Sequence, residues 1–116
     1  MTAFQFKEPV RFDLSIIIVS FNTRNVLLDC LASIYAKTKD ISYEVIVVDN
    51  ASNDETPIAI SEAFPNVRLI LNSMNSGLSF ANNQGIRESS GKYVALLNPD
   101  TCLIENSFYK IFQAAS

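Results

Sequence analysis

Four short runs of β-branched and aliphatic residues recur along this chain, at 14–20, 44–48, 67–71 and 93–97, each followed by a stretch of helical character. No other feature restricts the fold as much. A run such as Leu-Ser-Ile-Ile-Ile-Val-Ser lacks the polar alternation of a half-wet strand and reads as a strand buried on both faces. After the first run, Val26, Leu27, Cys30, Leu31, Ile34 and Tyr35 fall on one stripe of an amphipathic helix that should end near Thr38. A second helix is expected to open at Asp54 or Thr56, with Pro57 in its first turn, and to run to about Phe64. A third should cover 78–89, with Gly91 just beyond it as a C-cap. A last helix, about 105–115, should bury Phe108, Ile111 and Phe112. Residues 1–13 show no clean period and read as an extended lead-in. The order β-α-β-α-β-α-β-α predicts an α/β fold of three layers: a mostly parallel sheet, helices on both faces and right-handed crossovers.

At 116 residues the chain makes one domain. A domain of this size removes roughly 65% of its unfolded surface from water and needs no disulfide or metal staple. The net charge of −3 argues against nucleic acid as a partner, since phosphate neutralisation requires clustered Lys and Arg. Histidine is absent, which excludes Ser-His and Cys-His nucleophiles. Cys30 and Cys102 have no zinc or redox spacing, and Cys30 is expected as a buried inert thiol. Residues 1–10 carry charges and a proline but no apolar core of a signal peptide, so the chain reads as cytoplasmic.

Ligands of open parallel sheets bind beyond the carboxyl ends of the strands, where strand order reverses. The loops at that end carry Ser20, Asn22, Asn25, Asp49, Asn50, Asn53, Asn72, Asn75, Asn98 and Asp100, whereas those at the opposite end hold a single asparagine. Any one such loop is explained by the turn preference of Asn. The asymmetry between the two ends is not, and it points to a polar, mostly uncharged rim suited to a base, a ribose or a sugar. The first of these loops, residues 21–24, has no glycine, which removes the Rossmann and Walker readings. It also lacks the Gly-rich, basic loop of a nucleotidyltransferase. Asn98-Pro99-Asp100 has two readings: a turn capping the next helix, or a carboxylate presented to a metal.

Four segments taken together resemble glycosyltransferases of family 2. They are Ser-Ile-Ile-Ile-Val-Ser-Phe-Asn at 15–22, Glu-Val-Ile-Val-Val-Asp-Asn-Ala-Ser-Asn-Asp at 44–54, Asn75-Ser76-Gly77 with Asn83-Gln84-Gly85, and Leu97-Asn98-Pro99-Asp100-Thr101. The subgroup most resembled is the rhamnosyltransferase-like one, in which Asn-Pro-Asp replaces Asp-x-Asp. The resemblance implies the glycosyltransferase A-type fold, with 14–116 as the nucleotide-sugar-binding half of the domain. It implies inverting transfer from a dTDP- or UDP-sugar to a hydroxyl of a saccharide or lipid-linked saccharide acceptor, at or near the inner membrane face. It places Ser20, Phe21 and Asn22 around base and ribose, Asp49 and Asn50 against the pyrimidine, and Asn75, Gly77 and Asn83 in a stretch that closes over the base. Asp100 would hold Mg²⁺ or Mn²⁺ with Asn98 in support, and the ion would supply the positive field an acidic chain lacks. Many members have Asp where Asn50 stands, which shifts the expectation toward dTDP. The family's general base lies in the following half of the domain, so none of these residues is assigned to it. Without that base a non-catalytic nucleotide-sugar-binding module is the alternative, and a face left open by the missing half predicts self-association.

Overall fold

In the computed structural model, residues 2–5 and 9–115 are described. The elements run β1 (Thr2–Gln5), β2 (Phe12–Ser20), α1 (Arg24–Lys37), β3 (Tyr43–Asp49), α2 (Thr56–Ala63), β4 (Arg68–Leu71), α3 (Leu78–Glu88), β5 (Gly91–Leu97) and α4 (Ser107–Ala115). They build one sheet of order β1-β5-β2-β3-β4, in which β5, β2, β3 and β4 are parallel. The expected layers and alternation are therefore present. The lead-in differs. Its residues 2–5 form β1, which pairs antiparallel with β5 from Thr2 opposite Leu96 to Gln5 opposite Tyr93, and Phe12 and Asp13 already belong to β2. The rest of that reading, at residues 1 and 6–8, lies outside the described residues.

The two faces of β2 explain the layering. Leu14, Ile16 and Ile18 join Leu27, Cys30, Leu31 and Ile34 of α1, Ile60 of α2 and Phe108 of α4 in one core. Ile17 points the other way and packs with Ile46, Val48, Val94 and Ala81 of α3 in a second. Chain direction accounts for this division. From β2 the chain steps to β3 and then β4, but it returns across the sheet to lay β5 on the far side of β2. With crossovers of one hand, that reversal sends α3 to the face opposite α1 and α2. It also opens a crevice between the carboxyl ends of β2 and β5. Among the described residues no helix is long and apolar enough to cross a membrane.

Two glycines are required by close approach. A Cβ on Gly85 would lie 2.5 Å from Ile17 Cγ2, so a bare backbone lets α3 sit directly on β2. A Cβ on Gly91 would lie 2.4 Å from the backbone nitrogen of Ser15. Gly91 therefore opens β5 and does not cap α3, whose C-cap is Ser89, its amide donating a hydrogen bond to the Ile86 carbonyl. Here the amino ends of three strands are tied by buried and half-buried polar groups. The Gly91 amide donates to Ser15 Oγ (2.8 Å), Ser15 Oγ donates to Glu44 Oε2 (2.6 Å), and the Ser90 amide donates to the same carboxylate (2.6 Å).

Gly91→Ala should cost about 3 kcal/mol in urea unfolding, because backbone cannot yield to the new methyl. Gly85→Ala should cost less, about 1 kcal/mol, because its obstacle is a side chain that can turn. Equal costs, or the reverse order, would contradict this account. Thr38, at the end of α1, offers a second test. Its buried hydroxyl has no hydrogen-bond partner and its backbone is extended, a conformation that suits a β-branched residue. Thr38→Val should raise stability by about 1 kcal/mol, and a loss in the same titration would mean that the hydroxyl is satisfied.

Candidate functional site

The loops after β2 and β3 are knitted into one surface. Asn22, Ala51 and Glu55 all take left-handed backbone, with φ of 51°, 65° and 63°. These tight bends bring the loops edge to edge. The Asn22 amide donates to Ser52 Oγ (2.9 Å), the Asn53 amide returns a bond to Asn22 Oδ1 (2.9 Å), and the Asn50 amide donates to the Ser20 carbonyl (2.8 Å). Asp54 then joins two helix starts. Its carboxylate accepts the first amide of α1, from Arg24 (3.1 Å), and both the first amide (3.2 Å) and the hydroxyl of Thr56 in α2. The Thr56 hydroxyl, with these amides in support, holds the Asp54 carboxyl below its ordinary range. The expectation that Asp54 or Thr56 caps α2 is corrected: the N-cap is Glu55 in left-handed backbone, Thr56 is already helical, and Asp54 instead binds the first amide of each helix from outside. Beside it lies an open groove of about 420 Å³ lined by Asn22, Thr23, Arg24, Asn25, Val26 and Asp54.

Not every residue expected on the rim reaches it. Phe21 is 46% exposed and Asn22 is exposed. Ser20 is fully buried, sharing a hydrogen bond with the Thr23 hydroxyl (3.1 Å). Asp49 is buried too, with its carboxylate on the amide (3.0 Å) and hydroxyl (2.6 Å) of Ser52. Asn50 is 2% exposed, and both ends of its amide rest on protein partners in the 72–77 loop, which weakens any preference for dTDP drawn from it. These three residues shape the rim from beneath.

The 72–77 loop follows β4. Asn75 Oδ1 accepts the Gly77 amide (3.0 Å), which turns the chain into α3. Gly77 has φ +85°, a conformation glycine adopts without strain, and a Cβ there would meet no atom within 4 Å. Its glycine is thus set by backbone angle and not by a neighbouring backbone. Asn83 is exposed on α3, but its neighbour Asn82 is the residue that lines a second groove. That groove, about 190 Å³, lies in the β2–β5 crevice and is formed by Val19, Leu78, Asn82, Leu96, Leu97, Asn98 and Pro99. Asn72 of the expected rim belongs to this region, together with three residues that had been given no role, Ser76, Asn82 and Gln84. Asn82 stands four residues after Leu78 on one side of α3, which is the signal that could have found it.

At the end of β5 the Thr101 amide donates to the Asn98 carbonyl (3.1 Å), closing a β-turn with Pro99 and Asp100 at its centre. Asp100 has no positive φ, so the turn is of type I, with Pro at its preferred second position. The turn does not cap α4, which starts only at Ser107. Its far end is held to α1, since the Leu103 amide donates to Ser33 Oγ (2.9 Å). Asp100 is exposed, and among the described residues nothing hydrogen-bonds its carboxylate. Cys30, on the α1 side of this segment, is pushed up to about 12, first by burial and then by Cys102 and Asp100, and so stays an inert thiol.

The donor set also tests the metal. Among the described residues no three of His, Cys, Asp or Glu cluster as a metal cage. A resident structural ion therefore does not fit. A single free carboxylate does fit Mg²⁺ or Mn²⁺ of the kind that draws its other oxygens from substrate phosphates and water.

Comparison with known proteins identifies the family and the fold. Residues 15–116 match the family described as Glycosyl transferase family 2. An uncharacterized glycosyltransferase of Haemophilus influenzae is 33% identical over 86% of this chain and 33% of its own length. The glycosyltransferase AglE of Haloferax volcanii is 38% identical over 74% of this chain and 30% of its own. The mannosyltransferase PcManGT of Pyrobaculum calidifontis, solved with GDP-Man and Mn²⁺, superposes with a TM-score of 0.78 at 24% identity, covering 93% of this chain and 34% of that one. Staphylococcus aureus TarS 1-349 with UDP-GlcNAc gives a TM-score of 0.75 at 25% identity, over 88% of this chain and 30% of that one. The chain thus spans about a third of the length of the relatives it matches. With the family matched over nearly all its residues and its fold shared with solved sugar transferases, this chain belongs to glycosyl transferase family 2.

Proposed function

We propose that this chain forms the donor side of an enzyme that moves a sugar from a nucleotide diphosphate sugar to an acceptor hydroxyl with inversion. The observation that supports the reading is the turn after β5, in which Asp100, exposed and without a hydrogen bond to its carboxylate among the described residues, directly follows Asn98 and Pro99 of the groove at the strand-order reversal. Phe21, half exposed on the same rim, offers a flat apolar face to a base or ribose. Asn22 and Asn25 at the wider groove, and Asn82 and Asn98 at the narrower, present amides that both donate and accept, as hydroxyl-rich ligands require. Asp100 would hold the divalent ion, with Asn98 in the same turn. When bound, such an ion neutralises charge on a diphosphate leaving group.

In the transfer itself, the acceptor oxygen attacks the anomeric carbon on the face opposite the diphosphate. The bond from that carbon to the diphosphate oxygen breaks, its electron pair leaving on the diphosphate, and the hydroxyl proton passes to a base. The Asn-Pro-Asp sequence at 98–100 favours a rhamnosyltransferase-like member, acting on a saccharide or lipid-linked saccharide. One observation favours a second reading for these residues alone, that of a binding module without turnover. The two carboxylates nearest in type to a base are engaged: Asp54 with Thr56 and Arg24, and Glu105 with Lys110 at 3.1 Å.

Calorimetry with UDP, dTDP and their sugars, with and without Mn²⁺, tests the assignment. Wild type should bind at least tenfold more tightly with Mn²⁺, and Asp100→Ala should abolish that gain while leaving ion-free binding unchanged, a difference of about 1.4 kcal/mol or more. Binding indifferent to both the ion and Asp100 would sink the metal assignment. Donor hydrolysis by the chain above the Asp100→Ala background would exclude the binding-module reading.

A further inference from the structure

Asn50 is more than a buried polar residue. Its Oδ1 accepts from Asn72 Nδ2 (2.9 Å), Ser76 Oγ (3.1 Å) and the Ser76 amide (3.4 Å), while its Nδ2 donates to the Gly77 carbonyl (3.2 Å). Asn72 is itself fixed, exchanging two hydrogen bonds with Gln84 of α3 at 2.8 and 2.9 Å. One amide at the end of β3 therefore holds two different things. Its oxygen gathers the donors of the 72–77 loop. Its nitrogen holds the carbonyl of Gly77, which also receives the Ala81 amide and so begins the hydrogen-bond ladder of α3. The same first turns of α3 carry Leu78 and Asn82 into the groove that faces Asn98 and Pro99.

We propose that Asn50 is a positioning residue, a two-ended pin that fixes the 72–77 loop and the start of α3, and so sets the groove wall without touching the ligand. Its consequence for binding rests on the nucleotide-sugar reading above. A carboxylate of equal size is not equivalent here. Asp would still accept from Ser76 and Asn72, but it would turn an oxygen toward the Gly77 carbonyl, where the pin needs a donor.

Hydrogen–deuterium exchange on the ligand-free chain reads the pin, and calorimetry with UDP, CDP and GDP, each with Mn²⁺, reads its effect on binding. In Asn50→Ala, and separately in Gln84→Ala, the amides of Ser76, Gly77 and Ala81 should exchange about tenfold faster while those of β2 keep their rates. Asn50→Asp should keep protection at Ser76 and lose it at Ala81. Every nucleotide that binds wild type should weaken by a common factor in both alanine variants. Uracil and cytosine offer opposite partners at N3, a donor and an acceptor, so a direct contact would separate them and a pin would not. Loss confined to UDP in Asn50→Ala, with Gln84→Ala unaffected, would assign Asn50 to the base and overturn the pin. Unchanged loop exchange in both alanine variants would overturn it as well. If wild type binds none of the three nucleotides, the nucleotide-sugar reading falls, while the exchange rates still decide whether the pin exists.

Discussion

Strand β2 has no dry side to spare. Ile16, Ile17 and Ile18 are all fully buried although they alternate between faces, so apolar cover is needed above and below the same strand. A chain with short connections meets that demand by sending helices to both faces, and crossovers of one hand achieve it only if strand order reverses. The reversal places β5 beside β2, and with it the Asn98–Thr101 turn beside the loop of Phe21 and Asn22. The crevice is a by-product of burying three isoleucines.

The two ends of the sheet use polar groups differently. At the amino end, Glu44, Ser15 and the amides of Ser90 and Gly91 close on one another around a half-buried carboxylate. One oxygen of that carboxylate takes two protein donors and the Ser15 hydroxyl takes a third, which is the arrangement of a structural joint. At the carboxyl end, most side-chain amides also hold protein, but along the edge some do not. Asn50, Asn72 and Gln84 satisfy one another, whereas among the described residues the side chains of Asn82 and Asn98 border an open groove, and that of Asp100 is exposed, with no hydrogen-bond partner. That boundary between satisfied and free groups outlines the rim better than exposure alone.

The sequence made the layers and the polar end of the sheet legible, because both follow from short-range patterns. Buried-type strands show as unbroken runs such as 14–20, and the carboxyl-end loops show as Asn-rich segments fixed in order by those strands. Strand β1 was not legible: residues 2–5 have no partner nearby in sequence, and their pairing with β5 spans almost the whole chain. The division of labour within the rim was hidden for the same reason. Asn50 and Asn22 look alike in sequence, yet one sits under a loop that lies 22 to 27 residues away and the other stands at an open groove. Residue type announced a polar site. Only long-range contacts decide which amide is scaffold and which is surface.

Charge gives a reason for building both from neutral amides. The chain is acidic, with a net charge of −3, and a diphosphate ligand is more negative still. Carboxylates distributed through the rim would repel it at short range. Amides supply donors and acceptors without adding to that field, so the negative charge at the turn can be kept to one residue, Asp100, where a divalent ion would reverse its sign. Asp49 and Asp54 obey the same logic from the other direction. Each lies close to the site, but each is wrapped by protein donors, the hydroxyl and amide of Ser52 for one and two helix-start amides with Thr56 for the other. Their charge is directed into the scaffold, and on the proposed reading a nucleotide sugar would meet amides, one aromatic ring and a single free carboxylate.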